Sequence, residues 1–311
     1  MSDAARLTRN AALASVSLAL MLGTAKAFAA WKTGSVAMLG SLADSGLDLV
    51  ASLVTLLGVH IAAQPADEDH RFGHGKAESL AALFQVAVIT VSAVAILVQA
   101  VQRLNKGDVS TSADTGIVVS IFAILATLAL TTYQRHVIAQ TGSVAIGADN
   151  VHYQSDLLLN AAVIVALVLE QYAGLTGADP VFGVAIALWL LFGAWRASIA
   201  AIDQLMDKEW PEEKRMRFVE VASRHPELKN LHDLRTRTSG SADFVQFHIW
   251  MDPNMTVAQA HDVVEHVENE LRAEFPGTDI LIHIDPEGQV DEPDNPLVEA
   301  DLIEQLKETR K

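Results

Sequence analysis

Two pairs of polar residues interrupt apolar sequence: Asp44 and Asp48 in one stretch, His152 and Asp156 in another. Each pair is spaced i, i+4, so a helix presents both side chains on one face, one turn apart. Two such faces opposed offer three carboxylates and one imidazole, which suits tetrahedral Zn²⁺ and, by ligand type, also Fe²⁺, Co²⁺, Cd²⁺ or Mn²⁺. An ionisable group at membrane depth costs about 2.5–3.5 kcal/mol or more, so four of them in two helical pairs point to function. Such ligands bind metal only when deprotonated, so protons and metal compete for them. His152 is singled out as the proton-sensitive ligand. A helix cap or a pair with Lys26 explains one of the acids but not both pairs.

Those residues need spanning helices to hold them. A helix crosses a bilayer in about 20 apolar residues, and six segments qualify, at 11–31, 36–62, 79–104, 115–137, 144–174 and 180–206. Arg6, Arg9 and the ending Ala25-Lys26-Ala27 give the first a signal-peptide flavour, but its apolar run exceeds the usual length of about 7–15 residues. Arg6, Arg9, Arg71, Lys76 and Arg135 fall on one side, and Lys32, Arg103 and Lys106 on the other. The positive-inside bias then puts both termini in the cytoplasm.

Beyond Met206 the composition changes. The first part carries 14 acidic and 10 basic residues, the remainder 24 and 12, so the net charge of −16 divides into −4 and −12. So acidic a soluble domain disfavours nucleic acid and suits cations. The chain has no cysteine, so any metal must rest on His, Asp and Glu. The pattern predicts a helix over 211–224, strands at 230–238 and 242–251, a helix over 256–275 and a strand at 278–285. This αββαβ order is that of a small α+β sandwich. On the last strand His283 and Asp285 share one face, with Ile280, Ile282 and Ile284 on the core face. Between the second and third spans, Asp67, Glu68 and Asp69 precede His70 and His74, two imidazoles four residues apart with acids upstream, a plausible surface metal site.

Several motifs together resemble the cation diffusion facilitators, within them the bacterial zinc exporters. They are D-S-x-x-D at Asp44–Asp48, F-G-H-G-K-A-E-S-L-A-A-L at Phe72–Leu83, H-Y-Q-S-D at His152–Asp156 and H-D-L-R-T-R at His232–Arg237. The resemblance runs from the first span to about Pro286. It implies a homodimeric exporter of Zn²⁺ that takes protons as counter-ion, in the bacterial inner membrane. Its fold would be six transmembrane helices (1–207) and a cytoplasmic ferredoxin-like domain (208–290), after which the charged composition reads as a mobile acidic tail (291–311). Asp44, Asp48, His152 and Asp156 are then the transport site, and Asp67, His70 and His74 the loop site. His232, His248, His261, His283 and Asp285 form a cytoplasmic binuclear zinc site with Asp285 bridging, and Lys76 pairs with Asp207 to link the two parts. Asp rather than His at position 44 resembles the branch that also accepts cadmium and iron.

Other classes lack their motifs. The sequence has no H-E-x-x-H for a metalloprotease and no G-x-x-x-x-G-K-[ST] loop for ATP. The competing readings are a membrane-bound metal sensor and a passive divalent-metal channel without proton coupling.

Overall fold

The computed structural model describes residues 3–33, 36–106, 117–173, 178–225, 228–289 and 301–309. Two compact units, Met1–Ile202 and Asp203–Lys311, are described separately.

The first unit is helical: α1 (Asp3–Thr33), α2 (Val36–Ala62), α3 (Ala77–Lys106), α4 (Ile117–Thr141), α5 (Val144–Ala173) and α6 (Ala178–Leu205). Each helix coincides with one of the apolar segments. Among the described residues, α1, α2, α3 and α6 contain stretches apolar and long enough to cross a membrane, and α4 and α5, at 25 and 30 residues, have the length. Burial is inverted relative to a water-soluble bundle. Leu53, Leu57, Phe84, Val91 and Phe192 face outward, while Ser15, Ser52, Thr55, Gln85 and Gln134 are buried. Lipid is as apolar as leucine, so large side chains gain nothing by turning inward, and small or hydrogen-bonding ones fill the helix contacts.

α2 packs on α1 and α3, and α5 on α3 and α4, which sets the two ligand-bearing helices within one bundle. The α2–α3 crossing is close: a Cβ built on Gly58 would stand 2.4 Å from Ala81 Cβ and 3.1 Å from the Ala77 carbonyl oxygen. Gly58→Val is therefore expected to force the helices apart at a cost of about 1–3 kcal/mol. A lowered melting temperature in detergent would register this; an unchanged one would contradict it.

The second unit contains α7 (Glu212–Ala222), β1 (Lys229–Ser239), β2 (Ala242–Met251), α8 (Val257–Glu274), β3 (Thr278–Pro286) and α9 (Leu302–Thr309). The αββαβ order is as expected. β1 and β2 form an antiparallel hairpin, whose turn needs the left-handed Gly240 at φ 60°. β3 returns parallel to β2, which a two-residue turn cannot accomplish, so α8 supplies the crossover. Thr256 starts α8 through a capping box with Gln259. Phe218 of α7, Phe247 and Ile249 of β2, Leu271 of α8 and Ile280 of β3 make the core.

Two expectations change here. Ile284 is 37% exposed, so the core row on β3 ends at Ile282. The segment expected as a mobile tail holds α9, with Leu302 and Ile303 buried in the domain core and Leu306 packed against it. These three apolar residues in a charged run form one helical face that α7 and β1 cover. Residues 290–300 lie outside the described residues.

Candidate metal centres

Asp48 of α2 and His152 and Asp156 of α5 converge, with one ligand atom from each lying within 4.8 Å of the others. His152 Nε2 is 3.1 Å from Asp48 Oδ1 and 4.0 Å from Asp156 Oδ2. The imidazole is buried and both carboxylates are partly accessible, as a site reached from water requires. His152 Nε2 thus faces carboxylates from both helices, the donor arrangement that a shared cation would use. The side chain of Asp44, the fourth expected ligand, lies outside the described residues. Lys26 donates to Ser45 Oγ at 2.7 Å.

The sequence reading missed the polar groups that orient α5. Asp149 Oδ2 accepts from Ser15 Oγ of α1 at 2.6 Å and from Gln134 Nε2 of α4 at 2.7 Å. Asn150 Nδ2 donates to the Thr131 carbonyl and to Gln134 Oε1. The Tyr153 hydroxyl donates to the Ser15 carbonyl and accepts from Ser52 of α2. Asp149 and Tyr153, one turn apart on one face, and Asn150 beside them thus tie α5 to α1, α2 and α4 around His152. Such supporting contacts fix a ligand's direction. Asp149, a lone acid three residues before His152, was the available signal; its partners on α1 and α4 were not.

The loop after α2 brings together Asp67, His70 and His74. His70 Nδ1 is 3.1 Å from Asp67 Oδ1, and His74 Nε2 is 3.2 Å from Asp67 Oδ2. His74 Nδ1 donates to the Pro65 carbonyl at 3.2 Å, which leaves the Nε2 lone pair facing a carboxylate. Two acceptors so opposed need a proton or a metal cation between them. Gly73, at φ 78°, allows the tight return. The backbone N–H of His70 holds the Asp67 carboxyl below the usual carboxylate range, helped by the His70 and His74 imidazoles and opposed by partial desolvation. A lowered value means that the contribution of this carboxylate to the loop is complete above its unfolded pKa, about 3.9. It is lost only as pH falls through the lower folded value.

In the second unit, His232, His248 and His283 stand side by side across β1, β2 and β3, as paired residues of the sheet. They lie on the face away from the core residues Val245, Phe247, Ile280 and Ile282. Asp285 is buried beside them. Its Oδ2 is 3.3 Å from His232 Nε2 and 3.0 Å from His248 Nδ1, and its Oδ1 is 3.3 Å from His283 Nε2. One carboxylate with an oxygen toward each side has the form of a bridge. His232 Nδ1 donates to the Asn230 carbonyl at 2.7 Å, and its buried Nε2 has no hydrogen-bond partner. This is the same carbonyl–imidazole–carboxylate order as at His74, so the residues fit a resident metal. Register shifts on both sides of His232, with left-handed Asn230 and Asp233, re-aim this histidine as bulges do. Asp233 Oδ2, 3.7 Å from His248 Nε2, is an added carboxylate that the sequence reading passed over. His261 does not join the group within the chain: it is exposed on α8, 4.0 Å from Glu265 one turn on. Asp207 accepts from Arg237 Nη1 at 3.4 Å; Lys76 belongs to the other unit.

Comparison with known proteins accords with this arrangement of a helical and an α+β unit. The model described as "Cation efflux transmembrane domain" matches residues 12–206, and "Cation efflux protein, cytoplasmic domain" matches residues 210–287. The chain is 44% identical over 284 residues to a cation-efflux pump FieF of Cronobacter sakazakii, covering 91% of this chain and 94% of that one. It is 45% identical over 282 residues to the Serratia proteamaculans pump, covering 91% and 94%, and 43% identical over 285 residues to that of Klebsiella pneumoniae, covering 92% and 95%. The chain belongs to the cation diffusion facilitators, a multi-pass membrane protein for the efflux of divalent metal cations.

Proposed function

We propose that the chain exports Zn²⁺ from the cytoplasm in exchange for protons, as a homodimer in a bacterial inner membrane with both termini cytoplasmic. The observation that carries this reading is the meeting of Asp48 with His152 and Asp156 across α2 and α5. A cation held between two helices binds or leaves as those helices shift, which is the requirement of alternating access. Proton coupling rests on competition, since each ligand that takes a proton ceases to be a ligand. The imidazole and carboxylates suit Zn²⁺, and Cd²⁺ and Fe²⁺ remain substrates of the same donor set.

The other two centres serve control. Asp67, His70 and His74, on a loop, are less rigid than ligands on packed helices and suit capture of the ion. Zinc resident at His232, His248, His283 and Asp285 would supply positive charge to an acidic surface, lowering the repulsion between two cytoplasmic domains. His261, exposed on α8, would complete that site only from across the dimer. A Lys76–Asp207 pair would contribute only about 0–1 kcal/mol and so steer a hinge rather than hold the dimer.

Proteoliposomes loaded with a zinc-sensitive dye test the exchange. An acidic lumen is expected to draw zinc inward against its own gradient, and a protonophore to stop it. Flux that runs only downhill would leave a channel, and absence of flux a sensor; either result sinks the antiport reading.

A further inference from the structure

The helical layer of the second unit carries a cluster that none of these centres uses. Glu270 stands between two imidazoles: its Oε2 is 2.9 Å from His225 Nδ1, and its Oε1 is 3.3 Å from His266 Nε2. We propose that His225, His266 and Glu270 form a further divalent-cation site, joining the end of α7 to α8.

The elements present these donors side by side, the imidazoles on different oxygens of Glu270, so a shared ion requires the exposed His266 and Glu270 to turn toward His225. His266 and Glu270 are one turn apart on α8, and Glu274 follows by another turn, so the three line one helix face. His225 arrives from the chain just past α7. Its N–H donates to the Ala222 carbonyl, and its own carbonyl accepts from Leu228 N–H, which closes a turn there. The His225 side chain is only 11% exposed, so packing already fixes its direction, while His266 and Glu270 are accessible enough to adjust around an ion. The donors border an open groove of about 500 Å³, with Glu274 and Arg224 also on its wall. Two carboxylates outweigh the single guanidinium, so the charge of the groove favours a cation.

Two imidazoles and a carboxylate, with water in the remaining position, match the preference of Zn²⁺ or Co²⁺ and not that of Mg²⁺ or Ca²⁺, which take oxygen donors. The site is separate from the one around Asp285. The histidine row lies on the sheet face opposite the core, whereas His225, His266 and Glu270 belong to the helices that cover the core. Bound metal would cross-link α7 to α8 and stiffen the helical layer when cytoplasmic metal is plentiful.

The test uses the full-length protein in detergent, stripped of metal and dialysed against buffered Zn²⁺, with bound zinc measured per chain. The double variant His266→Asn/Glu270→Gln changes only accessible side chains. It is expected to bind about one equivalent fewer than wild type while retaining zinc transport, and His225→Gln is expected to lose the same equivalent. A double variant that binds as much zinc as wild type overturns the proposal, and leaves the three side chains as imidazole–carboxylate pairs. Transport by the variant is read separately, so failure of this site is distinguishable from failure of the antiport reading.

Discussion

Asp48→Ala is expected to reduce metal transport by more than about 100-fold, since loss of a group that merely supports a ligand already lowers metal affinity about 10–100-fold. Asp48 is the α2 side chain described at the site, 3.1 Å from His152 Nε2. Without it, the described donors come from α5 alone, and an ion held by one helix has no reason to couple movement of two. Asp48→Asn is the sharper control. It keeps the shape, retains a neutral oxygen and removes the charge that competes for protons, so transport should fall almost as far. His152→Ala removes the other half of the contact and should abolish zinc uptake driven by a pH gradient. Initial rates in vesicles, with folding checked by thermal melting in the same detergent, decide the matter. Near wild-type transport by Asp48→Ala would remove this tetrad from the transport path.

Phe218→Ala has the largest expected effect on stability, about 3–5 kcal/mol for a fully buried phenylalanine. Phe218 is completely buried, and its ring meets those of Trp210, Phe247 and Phe275 at centroid distances of 6.2, 5.7 and 5.2 Å. These neighbours come from the segment before α7, from β2 and from the end of α8. They cannot close on the cavity together without moving the sheet away from its helices. Hydrogen exchange of the β1, β2 and β3 amides is the appropriate measurement, because it reports opening of this unit irrespective of the membrane helices. Protection factors should fall by several orders of magnitude across all three strands. A change confined to the residues around position 218 would mean that the core relaxes locally and the larger figure is wrong.

Much of this architecture was legible because the determining signals are local. The spans show as long apolar runs, and the i, i+4 pairs Asp44/Asp48 and His152/Asp156 follow from helical period. The αββαβ unit shows in alternation on β3 and in the Ser239-Gly240-Ser241 turn. What was illegible depends on distant partners. Asp149 reads as one more polar residue until Ser15, 134 residues away, donates to it. His225 and Glu270 likewise meet only after α7 and α8 pack. His261 looked like a member of the cytoplasmic cluster, yet its helix faces it outward. α9 was masked by charge: the run reads as weakly helical, but Leu302, Ile303 and Leu306 are too few to announce a docked helix without the core that receives them.

The row His232–His248–His283 runs across every strand of the sheet. Because side chains alternate, a slip of one residue between β2 and β3 would send His283 and Asp285 to the opposite face and bring an isoleucine to the metal side. A metal held by this row would therefore act as a checksum on folding. A newly made chain with misaligned strands lacks the matched donors and forgoes the binding energy that rewards the correct alignment. Metal supply would then act as quality control for the domain, before a single ion has been carried across the membrane.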